Sequence, residues 1–271
     1  MELLFFAVLI CLLGYVLYRN IKLISRYKHN KEYIECYKGM LNEEENVIER
    51  INNYINNEKD EEFKNKGRVL KLYVELGKDL EYSDTLTSLN FKPIFYKDGK
   101  LMNDKFAINV DIMVWVYLIM ARARKLSKFD VLNNVVNSFE QMPDYDNRLE
   151  FQLVKNLNNA LLEKEDGGIE FLSKILEGEY YNLHYEKSMV GLYKRIAAST
   201  LAYCLEPLDD YYMQDIPAFG QTSIGKAYLK DLDIYDKFVQ EPEIEVEVEE
   251  SQEEVQPEQT QEENQNTEEW S

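Results

Sequence analysis

The chain has 271 residues and a formal net charge of −19, with 50 Asp and Glu against 31 Lys and Arg. This length suits one medium domain or two small ones. An acidic surface repels phosphate backbones, so the composition argues against nucleic-acid binding and favours basic protein surfaces, cations or cationic peptides as partners.

The charge is distributed unevenly and divides the chain into segments. Residues 1–31 carry +4, residues 241–271 carry thirteen Glu with no Lys or Arg, and residues 32–240 carry −10. The three cysteines are widely spaced, which is typical of neither a disulfide framework nor a zinc site. We predict neither a bound metal nor a cofactor.

A hydrophobic segment opens the chain, with sixteen uncharged residues from Leu3 to Tyr18. As a helix they would reach about 24 Å, close to the lower limit for crossing a hydrocarbon core of about 30 Å. Glu2 precedes the apolar run and bulky residues follow it, which argues against a cleaved signal peptide. We predict a single-pass transmembrane signal anchor over residues 1–18. A buried amino-terminal helix of a soluble protein is the alternative.

A basic juxtamembrane segment, residues 19–31, follows the apolar run. Its cationic residues, which we expect to contact anionic lipid head groups, are Arg19, Lys22, Arg26, Lys28 and Lys31. Because no Lys or Arg precedes Leu3, the positive-inside rule places the amino terminus outside and the following domain in the cytoplasm. An exported helical domain is the opposite alternative.

Residues 32–240 show the helical period along nearly their whole length and predict a cytoplasmic all-α domain of about eight helices. The first helix, over residues 34–55, has an apolar stripe interrupted by Glu44. This stripe predicts packing against a second helix over about 62–80, or a homo-oligomer. The stretch FKPIFYKDGKLMNDKF predicts a small β-hairpin, and the region near 83–103 is a candidate boundary between two helical groups.

The remaining elements also follow the helical period. The apolar stretch from Ala107 to Ala121 contains Asp111 and predicts the central helix of the domain, with a second membrane helix as the alternative. Ser127 and Asp130 suggest a capping box before a helix to Met142, with inward-facing apolar residues Phe129, Leu132, Val135, Val136 and Phe139.

We predict further helices over about 147–163, 168–181 and 185–206, with Gly167 and Gly168 serving as a carboxyl cap and turn. The last helix would start after Thr222 and Ser223 and continue to Val239. No 34-residue repeat aligns, so we expect an irregular α-solenoid or bundle.

Catalytic motifs are missing from the sequence, and we predict no catalytic residue. His184, with three Glu nearby in sequence, is a weak acid-base or metal candidate. The segment 206–222 predicts either a binding loop with aromatic anchors beside carboxylates or a packed connection that covers the core. Its candidate residues are Asp209, Asp210, Tyr211, Tyr212, Met213, Asp215 and Phe219. An enzyme with an unrecognised site near this loop remains the alternative function.

We expect residues 241–271 to be a disordered Glu-rich tail. It is either a solubilising segment or a linear motif that binds a basic surface or a sheet edge. The motif residues would be Ile244, Val246, Val248 and Trp270. The sequence thus favours a membrane-anchored scaffold or adaptor at the inner leaflet, with an unidentified protein partner.

Overall fold

The computed structural model describes residues 14–15, 17–18, 20, 31–102, 108–162, 166–180, 182–205 and 213–239. The chain divides into two units, Met1–Gln240 and Glu241–Ser271, and the second lies outside the described residues. The predicted tail, most of the predicted anchor and nearly all of the basic segment therefore also lie outside them. In the part of the chain that is described, no helix combines the length and apolar character needed to cross a membrane.

Two helices occupy the region of the single predicted helix over 34–55. Helix α1 covers residues 31–41 and α2 covers Val47–Asn57. Glu43 between them has a φ of 54°, and the Glu44 N–H donates to the Gly39 carbonyl, which closes α1. The prediction of one continuous helix is therefore wrong, because a left-handed residue interrupts its apolar stripe. Helix α2 packs on α3, Glu61–Gly77, which begins at an Asp60 cap.

The predicted hairpin is present but smaller than the sequence suggested. Strands β1, Tyr96–Lys97, and β2, Lys100–Leu101, are antiparallel and flank a turn in which Asp98 and Gly99 both have positive φ. Such a turn matches the twist of paired strands. Two short helices that we did not predict precede the hairpin: α4, Ser83–Ser88, and α5, Lys92–Phe95.

Helix α6, Ile108–Lys125, is the central helix that the sequence predicted. Every side chain from Ile112 to Ala121 is buried. Helix α6 packs against α3 and against three later helices: α7 (Phe129–Glu140), α8 (Leu149–Leu162) and α12 (Ser223–Asp231). Trp115 lies edge-on to Tyr37 and to Tyr73, with ring centroids 5.2 Å apart in both cases. Helix α6 is apolar on most of its faces because other helices pack against most of its faces.

Helix α7, Phe129–Glu140, corrects two predictions. Ser127 does not cap it: Ser127 has a φ of 56° and follows the end of α6, whereas Lys128 occupies the N-cap position of α7 without a side-chain hydrogen bond. Phe129 does not face inward but is 53% exposed, because it lies in the first turn, beyond the core. The other predicted inward residues of this helix are buried.

Helices α8, Leu149–Leu162, α9, Asp166–Glu177, and α10, Val190–Cys204, pack on one another. Short 3₁₀ turns at Tyr145–Asn147 and Lys187–Met189 precede α8 and α10. Gly167 and Gly168 do not form a carboxyl cap, because they lie in the first turn of α9. A Cβ on Gly168 would lie 2.8 Å from the Ala160 nitrogen, so close helix packing explains this glycine.

The last helices are α11, Asp215–Gly220, α12, Ser223–Asp231, and α13, Tyr235–Phe238. The Gly225 N–H donates to Oγ1 of Thr222 at 3.0 Å, so the predicted cap of α12 is confirmed. The helix does not continue to Val239 as predicted, because Asp233, with a φ of 61°, interrupts it. The described residues thus form an all-α fold with one hairpin and one hydrophobic core that extends from Tyr33 to Val239.

Candidate binding cleft

The predicted loop 206–222 is described only from Met213 onward. Phe219 is 2% exposed and belongs to the core, Met213 packs partly against the core, and Asp215 is exposed in the first turn of α11. The candidates Asp209, Asp210, Tyr211 and Tyr212 lie outside the described residues. In the described part of the loop, Asp215 alone of the predicted residues offers an exposed polar group.

His184 is exposed, and its backbone joins two segments. Its N–H donates to the Asn147 carbonyl at 2.7 Å, and its carbonyl accepts from the Leu149 N–H at 3.1 Å. Glu150, the next residue of α8, is buried and accepts hydrogen bonds from the Glu186 N–H and the Tyr193 hydroxyl. These contacts fix the loop before α10 to the start of α8. No group of three potential metal-ligating side chains occurs among the described residues.

A cleft of about 780 Å³ opens between α1, α3, α6 and α12. This volume lies within the range of about 300–1,000 Å³ that is typical of ligand-binding sites. Its apolar lining consists mainly of aliphatic side chains: Met40, Leu41, Val47, Val74, Leu126 and Ala227. The cleft is lined by residues at the carboxyl ends of α1, α3 and α6 and by residues of α12.

The charged lining of the cleft differs in sign from the chain as a whole. It contains two carboxylates, Glu43 and Asp231. It also contains five cations: Lys78, Arg122, Lys125, Lys226 and Lys230. A local excess of positive charge beside low-dielectric walls attracts anions even when the net charge of the protein is negative.

Arg122 and Asp231 form the most buried charged pair of the cleft. Nε of Arg122 lies 3.2 Å from Oδ1 and 3.1 Å from Oδ2 of Asp231, while Nη1 donates to the Tyr73 carbonyl at 3.3 Å. The guanidinium also stacks on the Tyr73 ring, 3.7 Å from its centroid. A Cβ on Gly77 would lie 2.5 Å from Nη1, so a larger residue at this position would displace the guanidinium.

Burial controls the acid-base behaviour of this pair. It raises the pKa of Asp231 above its ordinary value, although the positive charge of Arg122 acts in the opposite direction. Burial, together with the Asp231 charge, also raises the pKa of the Tyr73 hydroxyl, so this group stays protonated. Arg122, Tyr73 and Asp231 thus form a fixed, internally neutralised base of the cleft.

The four lysines lie at the exposed rim. Nζ of Lys125 is 2.6 Å from an Asp233 oxygen, and Nζ of Lys78 donates to the Glu45 carbonyl at 3.5 Å. On α12, the ammonium groups of Lys226 and Lys230 each lie 5.4 Å from the centroid of the Tyr235 ring. Neither of these two lysines has an ion pair within the described part of the chain.

Exposed apolar side chains follow the carboxyl ends of α3 and α6. Leu126 is 40% exposed and lines the cleft, Leu80 is exposed in the loop after α3, and Phe129 is exposed at the start of α7. An ion pair between Lys128 and Asp79 and hydrogen bonds from Tyr82 to Asp130 join the loop after α3 to the start of α7. At Leu126 the cleft combines cationic groups with exposed apolar surface, as many interfaces do.

The residues of this cleft were not predicted from the sequence. Lys226 and Lys230 are four residues apart and so share one face of a predicted helix, and the ARARK ending of α6 is visible in the sequence. Each is also an ordinary solvent-exposed pattern when taken by itself. Their convergence with Lys78 depends on how three distant helices pack.

Comparisons with protein-family models, with curated proteins and with solved structures found no match. The chemistry of the cleft is therefore the basis of the functional argument.

Proposed function

We propose that this protein is a membrane-anchored helical adaptor, which binds a protein partner on the cytoplasmic side of the membrane. The observation that carries its binding role is the basic, apolar-floored cleft in an otherwise acidic domain. Three of the five cations, Lys78, Lys226 and Lys230, form no ion pair within the described residues. They need a compensating interaction, because like charges repel when they are brought together. An anionic partner supplies that interaction.

The proposed membrane location rests on the sequence. The apolar run from Leu3 to Tyr18 and the five basic residues that follow it support a single pass with the domain inside. The Glu-rich segment 241–271 would add a second interaction element, of opposite charge to the cleft and suited to basic or sheet-edge partners.

The orientation can be tested in intact cells. We expect an alkaline phosphatase fused after Ser271 to be inactive, because the enzyme requires export, and we expect proteases added to spheroplasts to leave the domain intact. An active fusion would refute the cytoplasmic location. A chain found in the soluble fraction without detergent would refute the anchor.

Partner binding can be tested by site-specific photo-crosslinking of the full chain in cells. A benzophenone side chain at Leu126 would lie in the cleft, whereas one at the exposed hairpin residue Asp98 would serve as the matched control. We expect a discrete protein adduct from position 126 and not from position 98. The same adducts from both positions, or none from position 126, would count against the adaptor function.

A further inference from the structure

We infer that the cleft recognises an acidic linear peptide segment, in which at least two carboxylates flank one or two aliphatic side chains. This inference rests on the proposed adaptor function and names the chemistry of its partner. The carboxylates would contact the lysine rim, and the aliphatic side chains would contact the floor of the cleft.

Three lysines of the cleft have charges that are free to bind a ligand. Lys226 and Lys230 project from consecutive turns of α12 and lie beside the same Tyr235 ring, so their ammonium groups are neighbours. Lys78 lines the cleft from another element, at the end of α3, where its described contact is a long bond to a backbone carbonyl. Cations contributed by two elements of the same cleft suit an extended anionic chain that contacts both.

The cations of the cleft suit spaced carboxylates better than a single phosphate group. A compact phosphate group needs several donors that converge on one point, as the bidentate fork of an arginine provides. Among the described residues, Arg122 is the only arginine in the cleft lining, and it already uses its Nε for Asp231 and its Nη1 for the Tyr73 carbonyl. The remaining cations are lysines, which act as separate point charges, and separate point charges suit carboxylates spaced along a peptide.

The floor of the cleft offers aliphatic surface to a ligand. Met40 of α1, Val74 of α3 and Leu126, the residue after α6, present aliphatic surface in the same cleft as the lysines. A purely polar anion would leave this surface in water, whereas a peptide with Leu, Ile or Val between its acidic residues would bury it. The negative charge of the whole chain also disfavours a nucleic acid, whose phosphates are closely spaced.

The test uses the full chain in detergent and a fluorescein-labelled peptide, EELEEIEE, followed by fluorescence anisotropy. We expect the double variant Lys226→Glu/Lys230→Glu to weaken binding at least tenfold. The matched control is Lys97→Glu/Lys100→Glu, which makes the same change in net charge at two exposed hairpin lysines outside the cleft. We expect this control to change the affinity less than twofold.

Three further measurements complete the test. If Lys226→Glu/Lys230→Glu folds poorly by circular dichroism, Lys226→Gln/Lys230→Gln replaces it, because it adds no negative charge to α12. We expect the Gln variant to weaken peptide binding several-fold. The peptides QQLQQIQQ and EESEESEE remove the charge and the aliphatic groups separately, and both are expected to bind at least tenfold more weakly. Binding of EELEEIEE is also expected to weaken as salt is raised, because exposed charges are screened.

Equal losses of affinity for EELEEIEE in the cleft and hairpin variants would overturn the inference. Tight binding of the uncharged peptide QQLQQIQQ would overturn it as well. Binding of inorganic phosphate or an oligonucleotide at this site, without binding of EELEEIEE, would overturn it as well. These failures differ from failure of the adaptor function, since a protein adduct from position 126 would still form. Loss of that adduct would reject the adaptor even if the peptide bound.

Discussion

Replacing Arg122 by Met tests whether the base of the cleft depends on one ion pair. Methionine keeps much of the aliphatic volume of the side chain and removes the guanidinium. It thereby removes both contacts to the Asp231 carboxylate, the bond to the Tyr73 carbonyl and the stacking on the Tyr73 ring. The Asp231 carboxylate, only 6% exposed, would be left without its cation.

The expected loss of unfolding free energy is about 2–3 kcal/mol. Removing one partner of a fully buried pair costs about 3–5 kcal/mol, because the other charge stays buried without compensation. Arg122 keeps 21% of its side-chain surface exposed, which places this site below that range. Charge-assisted hydrogen bonds of about 1.5–3 kcal/mol give a similar magnitude.

Arg124→Met is the matched control on the same helix. Arg124 also stacks on a tyrosine, with its guanidinium 4.3 Å from the Tyr203 centroid, but it forms no ion pair within the described residues. Its loss is therefore expected to be about 0.5–1 kcal/mol. Urea unfolding of the full chain can be followed by the fluorescence of Trp115, which is fully buried in α6.

A double-mutant cycle with Asp231→Asn separates the pair from the other contacts of Arg122. We expect a coupling free energy of about 1–2 kcal/mol, within the range for residues in direct contact. A coupling free energy near zero would show that the Arg122–Asp231 ion pair does not stabilise the base of the cleft. Equal losses of unfolding free energy in Arg122→Met and Arg124→Met would refute that role as well.

Three more predictions concern packing, capping and pH. Gly168→Ala should lower the unfolding free energy by about 1–3 kcal/mol, because its Cβ meets the Ala160 backbone. Gly167→Ala should raise the unfolding free energy by about 0.5–1 kcal/mol, because nothing lies within 4 Å of its Cβ. If urea titrations gave similar losses of unfolding free energy for both glycine variants, this contrast would be contradicted. Thr222→Ala should cost about 1 kcal/mol by removing the α12 cap, whereas Thr222→Ser should cost little, and equal costs would argue against the cap. Because the pKa of Asp231 is raised on folding, the folded state binds more protons between pH 3.8 and that raised value. The unfolding free energy of the native chain, relative to Asp231→Asn, should therefore fall as the pH rises through this window, and a difference that is constant with pH would be evidence against it.

Local patterns predicted the elements better than their ends. The helical period identified α3, α6 and α8, and the Asp-Gly pair identified the hairpin, because each signal is complete within a few residues. The breaks at Glu43 and Asp233 were missed, since neither is Gly or Asn and the apolar stripe continues past both. Ser127 was misread for a related reason: a cap residue and a left-handed residue after a helix have similar sequence signals.

The amino-acid sequence by itself determined the all-α class, the burial of α6 and the marked charge differences along the chain, because hydrophobic period and composition are local properties. Only the tertiary structure decided that Lys78 at the end of α3, Lys125 of α6 and Lys226 of α12 line one cleft. These residues are far apart in the chain, and the packing of α6 against α3 and α12 brought them together. The average charge of the protein is negative, yet the charge at this site depends on neighbours in space and is positive.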